Sequence, residues 1–370
     1  MRVILAAGGT AGHIHPALAI ADKIKLLFPE SDILFVGAPD GMEAKLVKKA
    51  GYNFRAFKMA GLQRKLSVNN VIRNVKAAYY YITARSNAKK LLREFRPDVV
   101  IGTGGYVSAP VLLSAARLGI KTVTHESNSL PGVTTKLLSK NVDKVFVVDE
   151  AALERLPVKG NAVVTGNPLR NNIPIEERSE ARKRLGLKDG LTILSFGGSL
   201  GANKITEAVV ELLKWENQVG GINHIHGYGG NGREMFNGLM ESEKVQTTDR
   251  MILKEYIDNM YTCMCAADII ISRAGAMTLT ELKAIGRASV LVPFPQAAEN
   301  HQYYNALSMA DAGAAVLIED KDLEKTELVR LVRELTENPD KLHEMEKNAA
   351  RLGSTNAADL IVSQILDLIQ

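Results

Sequence analysis

The residues best placed for chemistry begin with His13. The run Val3-Ile4-Leu5-Ala6-Ala7-Gly8-Gly9-Thr10-Ala11-Gly12-His13-Ile14-His15-Pro16 puts a strand, a glycine turn and a helix start within fourteen residues. An imidazole at such a turn faces whatever the turn binds, and histidine suits proton transfer near neutral pH. A helix cap or an ordinary polar contact is the plainer reading of the same residue. The turn itself is an anion trap. Helix-starting N–H groups lack intrahelical partners, the helix dipole is positive there, and glycine lets a phosphate approach the backbone. The expected guest is a phosphate or diphosphate. Apolar residues at Leu18, Ile20, Ala21, Ile24 and Leu27 predict a helix from Pro16, with the proline in its first turn. The dinucleotide fingerprint G-x-G-x-x-G is incomplete, because Ala7 stands at its first glycine. The next apolar run, Ile33-Leu34-Phe35-Val36, ends in Gly37 where a nicotinamide enzyme needs an acid for the ribose, which disfavours that chemistry.

Further polar groups recur where strands end. Thr103-Gly104-Gly105-Tyr106 follows the run Asp98 to Gly102, and His125-Glu126-Ser127-Asn128 follows Lys121 to Thr124. Each residue alone has a structural reading, Asn128 as a turn residue for example, but four polar side chains at one strand end favour a site. Gly197-Gly198-Ser199-Leu200-Gly201-Ala202 repeats the spacing of Gly8 to His13, so the chain reads as two similar halves. Arg273-Ala274-Gly275-Ala276-Met277-Thr278-Leu279-Thr280-Glu281 places small residues at a helix start and a carboxylate one turn in. That pattern fits a phosphate and two ribose hydroxyls, or simply a capped helix. Glu299 to Asn305 is again polar at a helix start.

No metal is expected. Asp320-Lys321-Asp322 reads as a helix cap, and His224-x-His226 and His13-x-His15 lack a nearby third ligand.

The elements that must position these groups follow from patterning. Short apolar runs alternate with helical patterns, the rhythm of parallel sheets whose carboxyl edges carry ligand loops. With 370 residues, 46% hydrophobic and 24% charged, the chain has room for two globular domains. The expected division is residues 1–166, then 167–352, with a final helix in 353–370 that reaches back to the first domain. Cys263 and Cys265 form neither a disulfide framework nor a zinc site, which fits a reducing cytosol. The first apolar run meets Gly8-Gly9 too soon for a secretory core, and the longest uncharged runs contain glycine and proline, against a membrane span.

The net charge of +5 is unevenly spread: Arg55 to Arg96 carries eleven Lys or Arg and one acid, a local +10 that leaves −5 elsewhere. Within it Leu62, Leu66, Val71, Ile72, Val75, Tyr79, Tyr80, Tyr81 and Ile82 mix with Arg64, Lys65, Arg73, Lys76, Arg85, Lys89 and Lys90. Apolar groups in a basic collar predict a patch for an anionic membrane surface. A long helix with one core face is the alternative, and no nucleic-acid module is present.

The motifs GGTAGHIHPALA, GTGGYVSAP, HESN, GNPLR, GGSLGA, SRAGAMTLTEL and PFPQAAENHQYYNA occur in the order and spacing of the MurG family, glycosyltransferase family 28, which the chain resembles essentially end to end. The resemblance implies an α/β chain of GT-B fold, two Rossmann-like domains with parallel sheets facing across a cleft. It implies inverting transfer of GlcNAc from UDP-GlcNAc to the C4 hydroxyl of MurNAc in undecaprenyl-diphospho-MurNAc-pentapeptide (lipid I). The product is lipid II for peptidoglycan, and the enzyme is peripheral on the cytoplasmic face of the bacterial cell membrane. Neither cofactor nor nucleic acid is implied.

Carried over by position, the donor contacts are Thr10, Ala11, Gly12, Asn128, Arg170, Ser199, Ile257, Ala276, Met277, Thr278, Leu279, Thr280, Glu281 and Gln302, with Asn305 near the sugar. Glu281 is implied to hold the ribose and Ile257 to meet uracil through its backbone. Gly8, Gly9, Thr103, Gly104, Gly105 and Tyr106 would form the loops for the acceptor diphosphate. His13 is the expected general base, with Glu126 the second choice; Ser199 and Arg170 would stabilise the leaving diphosphate. Ser127 departs from the family, which usually has glutamine there. Competing readings are another lipid-acceptor glycosyltransferase, a UDP-GlcNAc 2-epimerase and a non-catalytic nucleotide-sugar-binding membrane subunit.

Overall fold

The computed structural model describes residues 1–59, 68–170 and 174–370, with the side chains of 68–78 excepted. It divides into two compact units, Met1–Asn172 with Thr355–Gln370, and Ile173–Ser354. The chain thus leaves the first unit near residue 172 and returns to it for the last helix.

The first unit runs β1 (Arg2–Ala6), α1 (Ala11–Leu27), β2 (Asp32–Gly37), α2 (Met42–Lys49), β3 (Asn53–Ala56), α3 (Val68–Phe95), β4 (Val99–Gly102), α4 (Ser108–Arg117), β5 (Lys121–Glu126), α5 (Val133–Leu138), β6 (Lys144–Val147), α6 (Glu150–Glu154) and β7 (Ala162–Val164). Its seven strands are ordered β3-β2-β1-β4-β5-β6-β7. The ladders between neighbours are parallel, with Leu5 opposite Phe35 on one side and Ile101 on the other. Strands covered on both faces read as unbroken apolar runs, and Val3 to Ala6 and Val99 to Ile101 are fully buried.

Helix α1 begins at Ala11, so Pro16 lies inside it rather than in the first turn expected from the apolar period. Proline has no N–H to give the carbonyl four residues back, which is that of Gly12. The Ser127 hydroxyl donates to that carbonyl at 3.4 Å, and the Thr103 hydroxyl donates to the next one, His13, at 2.7 Å. Ser127, the residue that departs from the family pattern, thus braces the helix where proline weakens it.

On α3, Ala84, Ala88, Leu91 and Leu92 are buried while Tyr79 and Ile82 are 63% and 68% exposed. Of the remaining patch residues, Leu62, Arg64, Lys65 and Leu66 lie outside the described residues, as do the side chains of Val71, Ile72, Arg73, Val75 and Lys76. No helix among the described residues is long and apolar enough to cross a membrane.

The second unit runs α7 (Arg178–Leu185), β8 (Thr192–Phe196), α8 (Asn203–Val219), β9 (Asn223–Gly227), α9 (Arg233–Ser242), β10 (Met251–Lys254), α10 (Met260–Ala266), β11 (Ile269–Ser272), α11 (Ala276–Ile285), β12 (Ala288–Leu291), α12 (His301–Asp311), β13 (Ala315–Leu317), α13 (Lys325–Thr336) and α14 (Pro339–Leu352). Its six strands are parallel and ordered β10-β9-β8-β11-β12-β13. Cys263 and Cys265 are free and buried, and burial pushes the Cys263 thiol up to about 11.

His224 and His226 are fully buried core residues. His224 Nδ1 faces Glu216 at 2.7 Å, and the Ser195 hydroxyl lies 2.7 Å from both His224 Nε2 and His226 Nδ1. Burial, with His224 alongside, pushes His226 down to about 3, so it stays neutral.

Helix α15 (Ala357–Ile369) closes the first unit. Its Ile361, Val362 and Ile365 are fully buried in the core that holds Val3, Leu5, Ile14, Ile20 and Ile24. The Lys144 ammonium donates to Gln364 at 2.6 Å, and Lys23 pairs with Asp359. Ile365→Ala should cost about 2–5 kcal/mol through the lost methylenes and the cavity. Hydrogen exchange should show lower protection in α1 and β5 with β8 and β9 unchanged.

Candidate functional site

In a parallel sheet every connection leaves the same edge, so the polar strand ends gather at the carboxyl edge of each unit. In the first unit two loops interlock there. Gly104 and Gly105 have φ of +108° and +79°, and a Cβ on Gly105 would collide with the Gly8 carbonyl oxygen. A Cβ on Gly104 would strike the His13 imidazole, so the ring lies directly against that backbone. Ser108, at the start of α4, donates to the carbonyls of Ala6 and Gly104 at 2.8 and 2.7 Å. Through these bonds β1, the Thr103 to Tyr106 loop and His13 form one assembly.

The Gly8-Gly9 turn does not offer all of its N–H groups to an anion. Gly9 N–H donates to the buried carboxylate of Glu43 at 3.3 Å, and the other oxygen of that carboxylate accepts from Ala38 N–H at 2.9 Å. A phosphate at this loop is left with the amides at the start of α1, among Thr10, Ala11 and Gly12. Burial, and then Glu43, raise the Tyr106 hydroxyl, which keeps it protonated.

His125 and Glu126 are the last residues of β5 and both are buried. Burial lowers the His125 imidazole and keeps it neutral. Its Nε2 faces the Gly166 carbonyl at 3.1 Å, which can only accept, so Nε2 carries the proton. Glu126 accepts from Asn128 N–H and Nδ2 at 3.0 Å each, from Gly132 N–H at 3.0 Å and from the Thr135 hydroxyl at 2.6 Å. Both oxygens are thus engaged in folding the loop that carries Asn128. Arg170 Nε donates to Asp22 at 2.6 Å, and Tyr52 donates to the same carboxylate at 2.7 Å. The guanidinium is therefore anchored to α1, where burial, and then Arg170, lower His15.

In the second unit the Ser199 loop leaves β8 as an exposed turn. Its carbonyl accepts from Gly230 N–H at 3.0 Å, and the neighbouring turn packs so closely that a Cβ on Gly201 would meet the Tyr228 carbonyl. Ile257 follows β10 with a buried side chain. Helix α11 starts at Ala276 after Gly275, and Thr280 turns its hydroxyl back to the Ala276 carbonyl at 2.8 Å. Glu281 accepts from the Tyr261 hydroxyl at 2.9 Å, and burial pushes its carboxyl up to about 7.

Two amides from α12 tie down neighbouring turns. Gln302 accepts from Phe294 N–H at 3.0 Å through Oε1, and Asn305 donates to the Ala274 carbonyl at 3.3 Å. Arg273 links three strand exits. It donates to the carbonyls of Val292 and Pro293 at 3.2 and 3.1 Å, lies over the Phe294 ring and pairs with Asp320 at 2.5 Å. Asp320 is thus the anchor of Arg273 and not the helix cap expected from its sequence position; α13 starts after Glu324.

The first unit accordingly brings together Gly8, Gly9, Gly12, His13, Thr103, Gly104, Gly105 and Ser127, and builds the loop of Glu126 and Asn128 beside them. The second unit brings together Ala276 to Glu281, Gln302 and Asn305. Glu43, Thr135 and Tyr261 support these groups yet lie outside every quoted motif, while Ser108, Arg273 and Asp320 lie within quoted stretches that give no sign of their supporting roles. Glu43 stands out in hindsight only as an acid two residues past Gly41 in an otherwise apolar helix face.

Comparison with known proteins bears on both units. The glycosyltransferase family 28 N-terminal domain model matches residues 3–147 and the C-terminal domain model matches residues 192–361. A UDP-N-acetylglucosamine--N-acetylmuramyl-(pentapeptide) pyrophosphoryl-undecaprenol N-acetylglucosamine transferase of Desulforamulus reducens is 42% identical over 98% of this chain and 97% of its own. A Bacillus cereus protein of the same name, numbered 1, is 40% identical over the whole of both chains. The crystal structure of MurG from Acinetobacter baumannii superposes with a TM-score of 0.77 at 28% identity, covering 99% of each chain. UDP-GlcNAc 2-epimerase from Neisseria meningitidis, at 16% identity and a TM-score of 0.65 over 99% of this chain and all of that one, shares the fold alone. The two parallel-sheet units are those of a GT-B fold, and the chain belongs to glycosyltransferase family 28.

Proposed function

We propose that the chain is an inverting glycosyltransferase that moves GlcNAc from UDP-GlcNAc to the C4 hydroxyl of MurNAc in lipid I, giving lipid II on the cytoplasmic face of the bacterial membrane. The observation that carries this reading is the full-length likeness, at about two residues in five, to relatives named for that transfer.

The reaction forms a bond from the acceptor C4 oxygen to the anomeric carbon of GlcNAc as the bond from that carbon to the UDP oxygen breaks. The hydroxyl proton must leave, and His13 is the base: its ring is fixed against Gly104 and its own backbone is held by Thr103. Glu126 serves instead as a loop anchor, because a substrate hydroxyl would have to displace a donor already in place. The amides opening α1 and the Thr103 to Tyr106 loop receive the lipid diphosphate.

On the donor side the start of α11 and Ser199 receive the UDP phosphates, the Ile257 backbone meets uracil and the ionised Glu281 accepts the ribose hydroxyls. Gln302 and Asn305 hold the turns around the sugar. The family resemblance assigns Arg170 to the leaving diphosphate; within the first unit its Nε is held by Asp22. An epimerase or a binding subunit has no need of a base aimed at an acceptor hydroxyl, and the transferase-named relatives favour transfer. Exposed Tyr79 and Ile82 within the basic Arg55 to Arg96 stretch support membrane attachment by surface contact.

With UDP-GlcNAc and a lipid I analogue, His13→Ala should lower kcat by roughly 10²- to 10⁴-fold with donor KM little changed; unchanged turnover would remove His13 as the base. Because the ionised Glu281 binds the ribose and its carboxyl sits near 7, donor KM should fall as pH is raised from about 6 to about 8. A flat profile would exclude that role. In flotation assays the protein should rise with vesicles containing anionic lipid and release in high salt, whereas salt-independent flotation would exclude the basic collar as the anchor.

A further inference from the structure

We propose that Tyr261 is a positioning residue for the nucleoside site: its hydroxyl, 2.9 Å from Glu281 Oε1, orients the carboxylate that takes the ribose and favours the form able to accept its hydroxyls. The inference rests on the reading of Glu281 as the ribose acceptor.

Tyr261 is the second residue of α10, four residues after Ile257, and α10 packs against both α7 and α11. The connection from β10 therefore carries the backbone that meets the base, and the first turn of α10 that follows it carries the hydroxyl that meets the ribose carboxylate. A carboxylate must receive the 2′ and 3′ hydroxyls with its oxygens turned outward, and a donor fixed on one oxygen sets that rotation. A hydrogen bond to the charged form also opposes the neutralising effect of burial. Burial raises Glu281, and the Tyr261 bond is the counterweight; no charged side chain of α10, α12 or α14 among the described residues adds to either. Removing the hydroxyl leaves burial unopposed. The carboxyl then ionises at higher pH, and less of the enzyme is ready for UDP-GlcNAc near neutrality.

Tyr261→Phe keeps the ring and its packing, so the fold should be preserved with an unchanged melting temperature. The experiment follows KM for UDP-GlcNAc and kcat across pH in the unmodified protein, Tyr261→Phe and Glu281→Gln. The expected result for Tyr261→Phe is a donor KM raised roughly tenfold near pH 7, as for loss of a hydrogen bond to a charged group. That rise should shrink at alkaline pH, with the midpoint of the profile moved upward and kcat at saturating donor unchanged. Glu281→Gln should raise donor KM and abolish the midpoint. If Glu281→Gln behaves so while Tyr261→Phe leaves the midpoint in place, Tyr261 is only packing and the proposal is overturned. If Glu281→Gln leaves donor KM and its pH profile untouched, the ribose reading itself fails, and the role of Tyr261 falls with it.

Discussion

The carboxyl edge of the first unit depends on two backbones touching where no side chain fits. Gly105 rests on the Gly8 carbonyl, and Gly104 rests on the His13 ring. Because these are backbone contacts, the position of the imidazole is set by the paths of β1 and β4, which are themselves locked into one ladder from Val3 opposite Val99 to Ala6 opposite Gly102. Ser108 and Thr103 close the remaining gaps with hydrogen bonds to Ala6, Gly104 and His13 carbonyls. An imidazole placed this way has little freedom left to lose, and positional precision of that kind is what the proposed general-base role requires.

The second unit solves the same problem with charge as well as close packing. Arg273 bonds the exit of β12, pairs with the acid after β13 and is itself the residue after β11, so one guanidinium holds three loops in register. Its fork geometry suits that task in a way a lysine ammonium does not. Beneath the Ser199 loop, the chain from Glu216 through His224 and Ser195 to His226 ties α8, β8 and β9 together. These buried contacts fix the three elements to one another, and the loops above them inherit a fixed platform.

What could be read from the residues alone is what local chemistry determines. Strand runs such as Val3 to Ala6 and glycine turns such as Gly197-Gly198 announce themselves, and the alternation of strands and helices implies parallel sheets. The groups at strand ends were legible as polar clusters for the same reason. Long-range partners were not. Nothing near Gly9 in the chain points to Glu43, and nothing in Asp320-Lys321-Asp322 points to Arg273, because those contacts arise when the sheet brings distant loops to one edge. Pro16 shows the limit in another way: its usual place at a helix start misplaced the start of α1, since a hydroxyl from Ser127, far along the chain, compensates the carbonyl that proline leaves without its helical donor.

Hydrogen-bond accounting separates the roles of three carboxylates, Glu43, Glu126 and Glu281, that sequence motifs cannot rank. Glu43 accepts from two loop amides and Glu126 accepts four hydrogen bonds, so both are committed to holding backbone and have little left for a ligand. Glu281 is half-buried and receives one hydrogen bond among the described residues, from Tyr261. A buried carboxylate short of donors is destabilised in its charged form, which is why burial pushes it up to about 7. In the proposed complex two ribose hydroxyls would supply the donors that the fold withholds. The same deficit that makes Glu281 costly in its charged form is what suits it to the proposed role toward a nucleoside, and the surplus at Glu126 is why His13 is proposed as the base in its place.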